Sequence, residues 1–138
     1  MILLDTNVVV DALDKTQACH AWSKKQIENA VVGEGGGISV VTLAELCAGT
    51  REPEAVEPEV TRLGISVHDL PADAAVICGK AYRRYVKARL VSGGSAPPKR
   101  PMPDFFIGAQ AEIMGWKIAT RDRGRFEKYF SKVPLVTP

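Results

Sequence analysis

Short apolar runs, each followed by a stretch of helical length, recur along the whole chain, and this alternation restricts the folds open to it. ILL (2–4) leads into a short helix running from Asn7 or Val8 to Leu13. ISVV (38–41) leads into TLAELCAG (42–49), closed by Gly49. ISVHDL (65–70) precedes the longest helix, about 72–90, which Pro71 starts. On that helix Ala74, Ile77, Cys78, Ala81, Tyr82 and Tyr85 fall on one apolar stripe. WKIAT (116–120) precedes a short helix, RGRFEKYF (123–130), and PLV (134–136) reads as a last edge strand. Further helices are predicted over 19–32, 53–63 and 104–115, with the GEGGG run (33–37) breaking the first. VSGGSAPPKRPMP (91–103) suits neither helix nor central strand and is predicted as an exposed loop. Strands that alternate with helices in this way predict an α/β fold with a mainly parallel sheet and helices on both faces.

At 138 residues the chain is read as one domain, 1–138, large enough to bury a core without disulfides. Cys19, Cys47 and Cys78 form no CxxC pair and are read as reduced packing residues, which places the protein in the cytoplasm. Asp5 interrupts the apolar start and no basic segment precedes it, so no signal peptide is expected; no run is long enough to span a membrane. The net charge of +2 hides an asymmetry: −7 up to Gly79 and +9 from Lys80 onward. Such a split points to a polyanion surface in the second part. Lys80, Arg83, Arg84, Lys87 and Arg89 are read as the solvated face of the long helix, whereas Arg121, Arg123 and Arg125 stand beside an acid, Asp122.

Asp5 lies between two apolar segments, and a carboxylate in an apolar interior costs several kcal/mol unless something compensates it. In an open parallel sheet, ligands bind beyond the carboxyl ends of the strands. Asp5 follows the first strand, Glu45 lies in the helix after the second, and Asp122 follows the fourth; Asp104 opens the helix leading into the fourth. The topology therefore brings Asp5, Glu45 and Asp122 to one edge, where Asp104 can join them. Each has a structural reading as well. Thr42 to Glu45 has capping-box spacing, and Asp5, Asp104 and Asp122 all stand where helix caps do. Together, though, four acids repel one another and raise their pKa values unless a cation answers them. Oxygen ligands with no nearby His or Cys select Mg²⁺ or Mn²⁺, and the matching chemistry is metal-assisted hydrolysis of a phosphodiester.

LLDTN (3–7), the acid of TLAEL, PDFFIGAQAEIMGWKIATRD (103–122) and the following RGRFEKYF resemble a PIN domain, and most closely its VapC/FitB-like group, the toxins of type II toxin–antitoxin pairs. The resemblance covers essentially the whole chain. It implies a three-layer α/β/α sandwich and an endoribonuclease dependent on Mg²⁺ or Mn²⁺. It matches Asp5, Glu45, Asp104 and Asp122 to the family's acids, with Asp5, Asp104 and Asp122 as metal ligands. Glu45 is matched as a ligand, a ligand through water, or a base. Thr120 is matched to a hydroxyl that orients a metal-bound water, and Thr6 and Asn7 to the polar turn after the first acid. The resemblance further implies a homodimer, a small antitoxin partner, and operator DNA reached only through the antitoxin complex. The long loop before Asp104 departs from the family pattern. Lys99, Arg100, Arg121 and Arg123 are candidate phosphate contacts for an RNA substrate.

Three other classes bear on these acids. A phosphatase of the haloacid-dehalogenase type needs a second Asp two positions after the first, and here that position is Asn7. A degenerate, non-catalytic binding module, or an RNA-processing nuclease that is not a toxin, remains compatible with the acids. His20 and His68 are read as structural, Trp22 and Trp116 as packing residues, and Phe105 and Phe106 as core. Asp11, Asp14 and Asp69 are read as surface acids and Asp73 as a first-turn acid; Asp11 is left out of the site because it lies nearly two turns past Asp5.

Overall fold

The computed structural model describes all 138 residues. Five strands form one sheet in the order β3-β2-β1-β4-β5, and every adjacent pair is parallel. They are β1 (Ile2–Leu4), β2 (Gly36–Ser39), β3 (Ser66–His68), β4 (Lys117–Ala119) and β5 (Leu135–Val136). Seven helices connect them: α1 (Thr6–Leu13), α2 (His20–Asn29), α3 (Val40–Ala48), α4 (Val56–Arg62), α5 (Ala74–Val91), α6 (Pro103–Met114) and α7 (Gly124–Tyr129). This is the expected α/β/α sandwich. None of the helices is long and apolar enough to cross a membrane.

The two faces of the sheet follow from the twofold alternation of strand side chains. Ile2 and Leu4 point into a core with Val8, Val9, Ile38, Val60 and Ile65, while Leu3 points the other way. Leu3 joins Ile118, Phe105 and the α5 stripe of Ala74, Cys78, Ala81, Tyr82 and Tyr85. Phe105 is fully buried and touches Tyr82 edge to face, ring centroids 5.5 Å apart. Trp116 packs against this core and meets His68 edge-on at 4.9 Å, while Trp22 packs against the other.

Several boundaries differ from the sequence reading by a few residues, the helix expected over 53–63 forming as α4 only from Val56, and two of the differences have a clear local reason. The strand expected at 38–41 is Gly36–Ser39, and α3 begins at Val40. Ser39 Oγ accepts from the Val41 amide at 3.1 Å, so Ser39 is the cap and Thr42 lies inside the helix. The capping box between Thr42 and Glu45 therefore does not form, which leaves Glu45 available elsewhere. The glycine run is also only partly a breaker. Gly35 makes the turn at φ 78°, but Gly36 and Gly37 are strand residues because their neighbours leave no room for a side chain. A Cβ on Gly36 would stand 2.2 Å from Ala30 Cβ, and one on Gly37 would stand 2.4 Å from the His68 ring.

Candidate active site

In this strand order the connections reverse direction at β1, which lies between β2 and β4. At such a point the helices following two neighbouring strands diverge to opposite faces and leave a crevice beyond the strand ends. Asp5 follows β1 directly, and its amide donates to Ala119 O of β4 at 3.0 Å. Past the end of β4 come Thr120, Arg121 and Asp122. A cleft of about 310 Å³ opens there, lined by Asp5, Glu45, Asp104, Asp122, Arg121 and Arg125, with Thr6, Asn7 and Val10 completing its wall. All four predicted acids thus line one cleft.

Asp5 is the buried member, 4% exposed. Its Oδ1 accepts from the Thr6 amide at 2.8 Å, capping α1. Its Oδ2 accepts from Asn7 Nδ2 at 2.6 Å and from the Thr120 hydroxyl at 2.7 Å. Burial pushes the Asp5 carboxyl up to about 6, and the negative charges of Asp104 and Glu45 add to that, against the lowering effect of the Thr120 and Thr6 hydrogen bonds. Glu45 Oε2 accepts from the Thr6 hydroxyl at 2.5 Å, which ties α3 to the turn after β1. Asp122 is exposed; its Oδ1 accepts from the Gly124 amide at 3.2 Å at the start of α7. Asp104, in the first turn of α6, is paired with Arg125. That pairing holds the Arg125 guanidinium above its ordinary range.

As these side chains stand, no three acidic or other metal-ligating groups gather closely enough to hold one ion. The reason is visible in the contacts: Asp104 is turned to Arg125, and Asp5 Oδ2 is occupied by two donors. The donor set is nevertheless all oxygen, and Asp5 carries a raised pKa, as expected of a buried carboxylate short of positive charge. The residues fit a hard divalent cation in chemistry, with Asp104 having to release Arg125 to reach it.

The remaining sequence assignments divide. Arg121 lines the cleft, but Arg123 turns away to Glu127 at 2.6 Å, and Lys99 and Arg100 are exposed in their loop and take no part in the wall. The Thr120 hydroxyl donates a hydrogen bond to Asp5, so it orients the carboxylate; its oxygen accepts from the Asp122 amide at 3.0 Å. Asp11 is no surface acid: it is fully buried on α1, with Arg121 Nε 3.4 Å from its Oδ2. The helical period carried this signal, since position 11 shares a face with Asn7 and Val8. Arg125 was legible only as one of several basic residues near an acid. Its partner is Asp104, 21 positions away, and no local spacing reveals that.

Comparison with known proteins agrees with this architecture. The model for the PIN domain matches residues 2–131. A plasmid stability protein, StbB, from Pseudomonas syringae pv. tomato is 31% identical over 136 residues, spanning 92% of this chain and 91% of its own length. Among solved structures, VapBC2 from Rickettsia felis, bound to a DNA fragment from the promoter, superposes with a TM-score of 0.69 at 19% identity, covering 100% of this chain and 99% of that one. VapC20 of Mycobacterium tuberculosis, a toxin that cleaves the sarcin–ricin loop, superposes with a TM-score of 0.63 at 18% identity, covering 97% and 99%.

Proposed function

Since the chain belongs to the PIN domain family, we propose that its acidic cleft hydrolyses RNA phosphodiester bonds with Mg²⁺ or Mn²⁺, as the toxin of a type II toxin–antitoxin pair. The observation that carries the reading is the convergence of Asp5, Glu45, Asp104 and Asp122 on one cleft at the point where the sheet order reverses. Asp5, Asp104 and Asp122 would hold the ion, which when bound would polarise the phosphoryl oxygen and lower the pKa of the attacking water. Thr120 and Asn7 fix the Asp5 carboxylate. Glu45, held by the Thr6 hydroxyl, would take the proton of the attacking water. Arg121 meets the phosphate at the cleft's mouth, a contact that gives salt-dependent affinity without reading sequence.

The partner of this reading is a small antitoxin, bound by a homodimer, with operator DNA contacted through the complex. The molecule offers surface for such a partner. Val9, Leu13, Leu46, Val56 and Leu63 line an apolar groove between α1, α3 and α4, and Leu13 is 65% exposed. Exposed apolar surface of this kind marks interaction sites. The test of the enzymatic reading is incubation of the purified protein with structured RNA and Mg²⁺ or Mn²⁺. Cleavage that stops with EDTA and with Asp5→Asn is expected; cleavage that survives both rejects the assignment.

A further inference from the structure

Asp11 has no part in the chemistry just described, yet its carboxylate lies in the interior of the molecule. It is fully buried, and neither carboxylate oxygen has a hydrogen-bond partner. A buried charge is tolerated only when paired. The pairing comes from Arg121, whose Nε stands 3.4 Å from Asp11 Oδ2. His20, the other titratable group near it, meets the Asp11 backbone carbonyl at 3.0 Å and not the carboxylate.

Arg121 is held by α1 at two points: its backbone amide donates to Asn7 Oδ1 at 3.2 Å, and its side chain rests on Asp11. The contact with Asp11 is made through Nε, so the two terminal nitrogens stay free, and the side chain is 44% exposed on the cleft wall. The neighbouring Arg125 shows what happens to a guanidinium in this cleft without a counter-ion of its own: it closes onto Asp104. We propose that Asp11 is a positioning residue that holds Arg121 back from the cleft carboxylates, keeping the ion's ligands free and presenting the guanidinium to a substrate phosphate. The inference rests on the metal-dependent reading above. It adds a residue outside the cleft that controls both cation and phosphate binding by giving one arginine a private partner.

The test is calorimetric titration with Mn²⁺ alone, on the full chain. Asp11→Asn releases Arg121 onto the carboxylates, and Mn²⁺ binding weakens by about fivefold. The double variant Asp11→Asn/Arg121→Gln has no guanidinium to fall inward and recovers wild-type affinity. Equal weakness in the single and double variants shows that Asp11 only supports the fold and overturns the inference, as does an Asp11→Asn protein with unchanged affinity. Wild-type protein that binds no Mn²⁺ rejects the metal reading itself, and the inference with it. Should Asp11→Asn fail to fold, Arg121→Lys replaces it. A single ammonium cannot serve Asp11 and a phosphate together, so KM for RNA cleavage rises about fivefold at unchanged kcat. A wild-type KM in that variant overturns the inference.

Discussion

The Thr120 hydroxyl donates to Asp5 Oδ2 at 2.7 Å, joining the ends of two adjacent parallel strands, β1 and β4, across 115 positions of sequence. The same oxygen accepts from the Asp122 amide at 3.0 Å, so one hydroxyl sets the position of two acids of the cleft. Thr120→Val keeps the shape and removes both interactions. The expected outcome is a loss of about 1–2 kcal/mol in stability by urea denaturation. The acid limb of the pH–rate profile moves to higher pH, because the contact that lowers the Asp5 pKa is gone. Thr120→Ser restores both properties. An unmoved acid limb in Thr120→Val refutes the assigned role.

Asp5 also makes stability depend on pH in a direction opposite to most acids. Its carboxyl is raised from 3.8 in the free side chain to about 6 in the fold, chiefly by burial. Between those values the folded protein binds more protons than the unfolded chain, so stability is fully present below about pH 4 and declines as pH rises through 6. A shift of this size corresponds to about 3 kcal/mol. Asp14, held near 2 by Thr16 and Gln17, acts below this window and with the opposite sign. Melting in EDTA at pH 4.5 and pH 7.5 should show the decline, and Mn²⁺ should restore stability at pH 7.5 but not at pH 4.5. A flat profile in EDTA contradicts the buried, uncompensated state of Asp5.

The fold was legible because β1 is buried along its whole length and reads as an apolar run, because short strands alternate with stretches of helical length, and because a parallel sheet fixes which ends of the strands face the cleft. Knowing only that Asp5 and Asp122 end β1 and β4 places them together. What local sequence does not hold is the partner of a charge. Asp11 reads like Asp14, yet one lies in the core against Arg121 and the other caps a turn through Thr16 and Gln17. Arg121, Arg123 and Arg125 alternate along one short segment, and their three partners are Asp11, Glu127 and Asp104. The glycine run misled for a related reason: Gly36 and Gly37 are set by Ala30 and His68 pressing against them, a contact with no local signature.

That reading of the glycine run is directly testable. At Gly36 a Cβ would meet Ala30 Cβ at 2.2 Å and the Ala30 backbone at 3.0 Å, and backbone does not yield as a flexible side chain does. Gly36→Ala is expected to destabilise by about 1–3 kcal/mol. At Gly79, inside α5 and with nothing within 4 Å of an added Cβ, the same substitution is expected to stabilise by about 0.5–1 kcal/mol. Chemical denaturation of the two variants side by side checks the contrast, and equal effects would mean that β2 begins elsewhere.

Arg125 competes for a carboxylate that the proposed ion needs. Its pair with Asp104 is partly exposed, with side-chain exposures of 41% and 23%, so its contribution to stability is within about 1 kcal/mol. Arg125→Gln should therefore fold as the wild type does and bind Mn²⁺ severalfold more tightly, since Asp104 no longer has to leave a cation to meet one. Calorimetric titration measures this. Weaker binding would show that the arginine assists the site instead of masking Asp104.

The apolar groove between α1, α3 and α4 separates partner binding from catalysis. Leu13 is 65% exposed on it, at the end of α1 away from Asp5, and it touches none of the cleft residues' hydrogen bonds. Leu13→Asp places a charge where a partner's apolar side chain would be desolvated, which costs several kcal/mol in the complex and little in the free protein. Co-expressed with the adjoining genomic region, the wild-type chain is expected to co-purify with a small antitoxin and the variant without it, while RNA cleavage by the isolated chain stays at the wild-type rate. Co-purification at wild-type yield would place the partner on another face of the molecule.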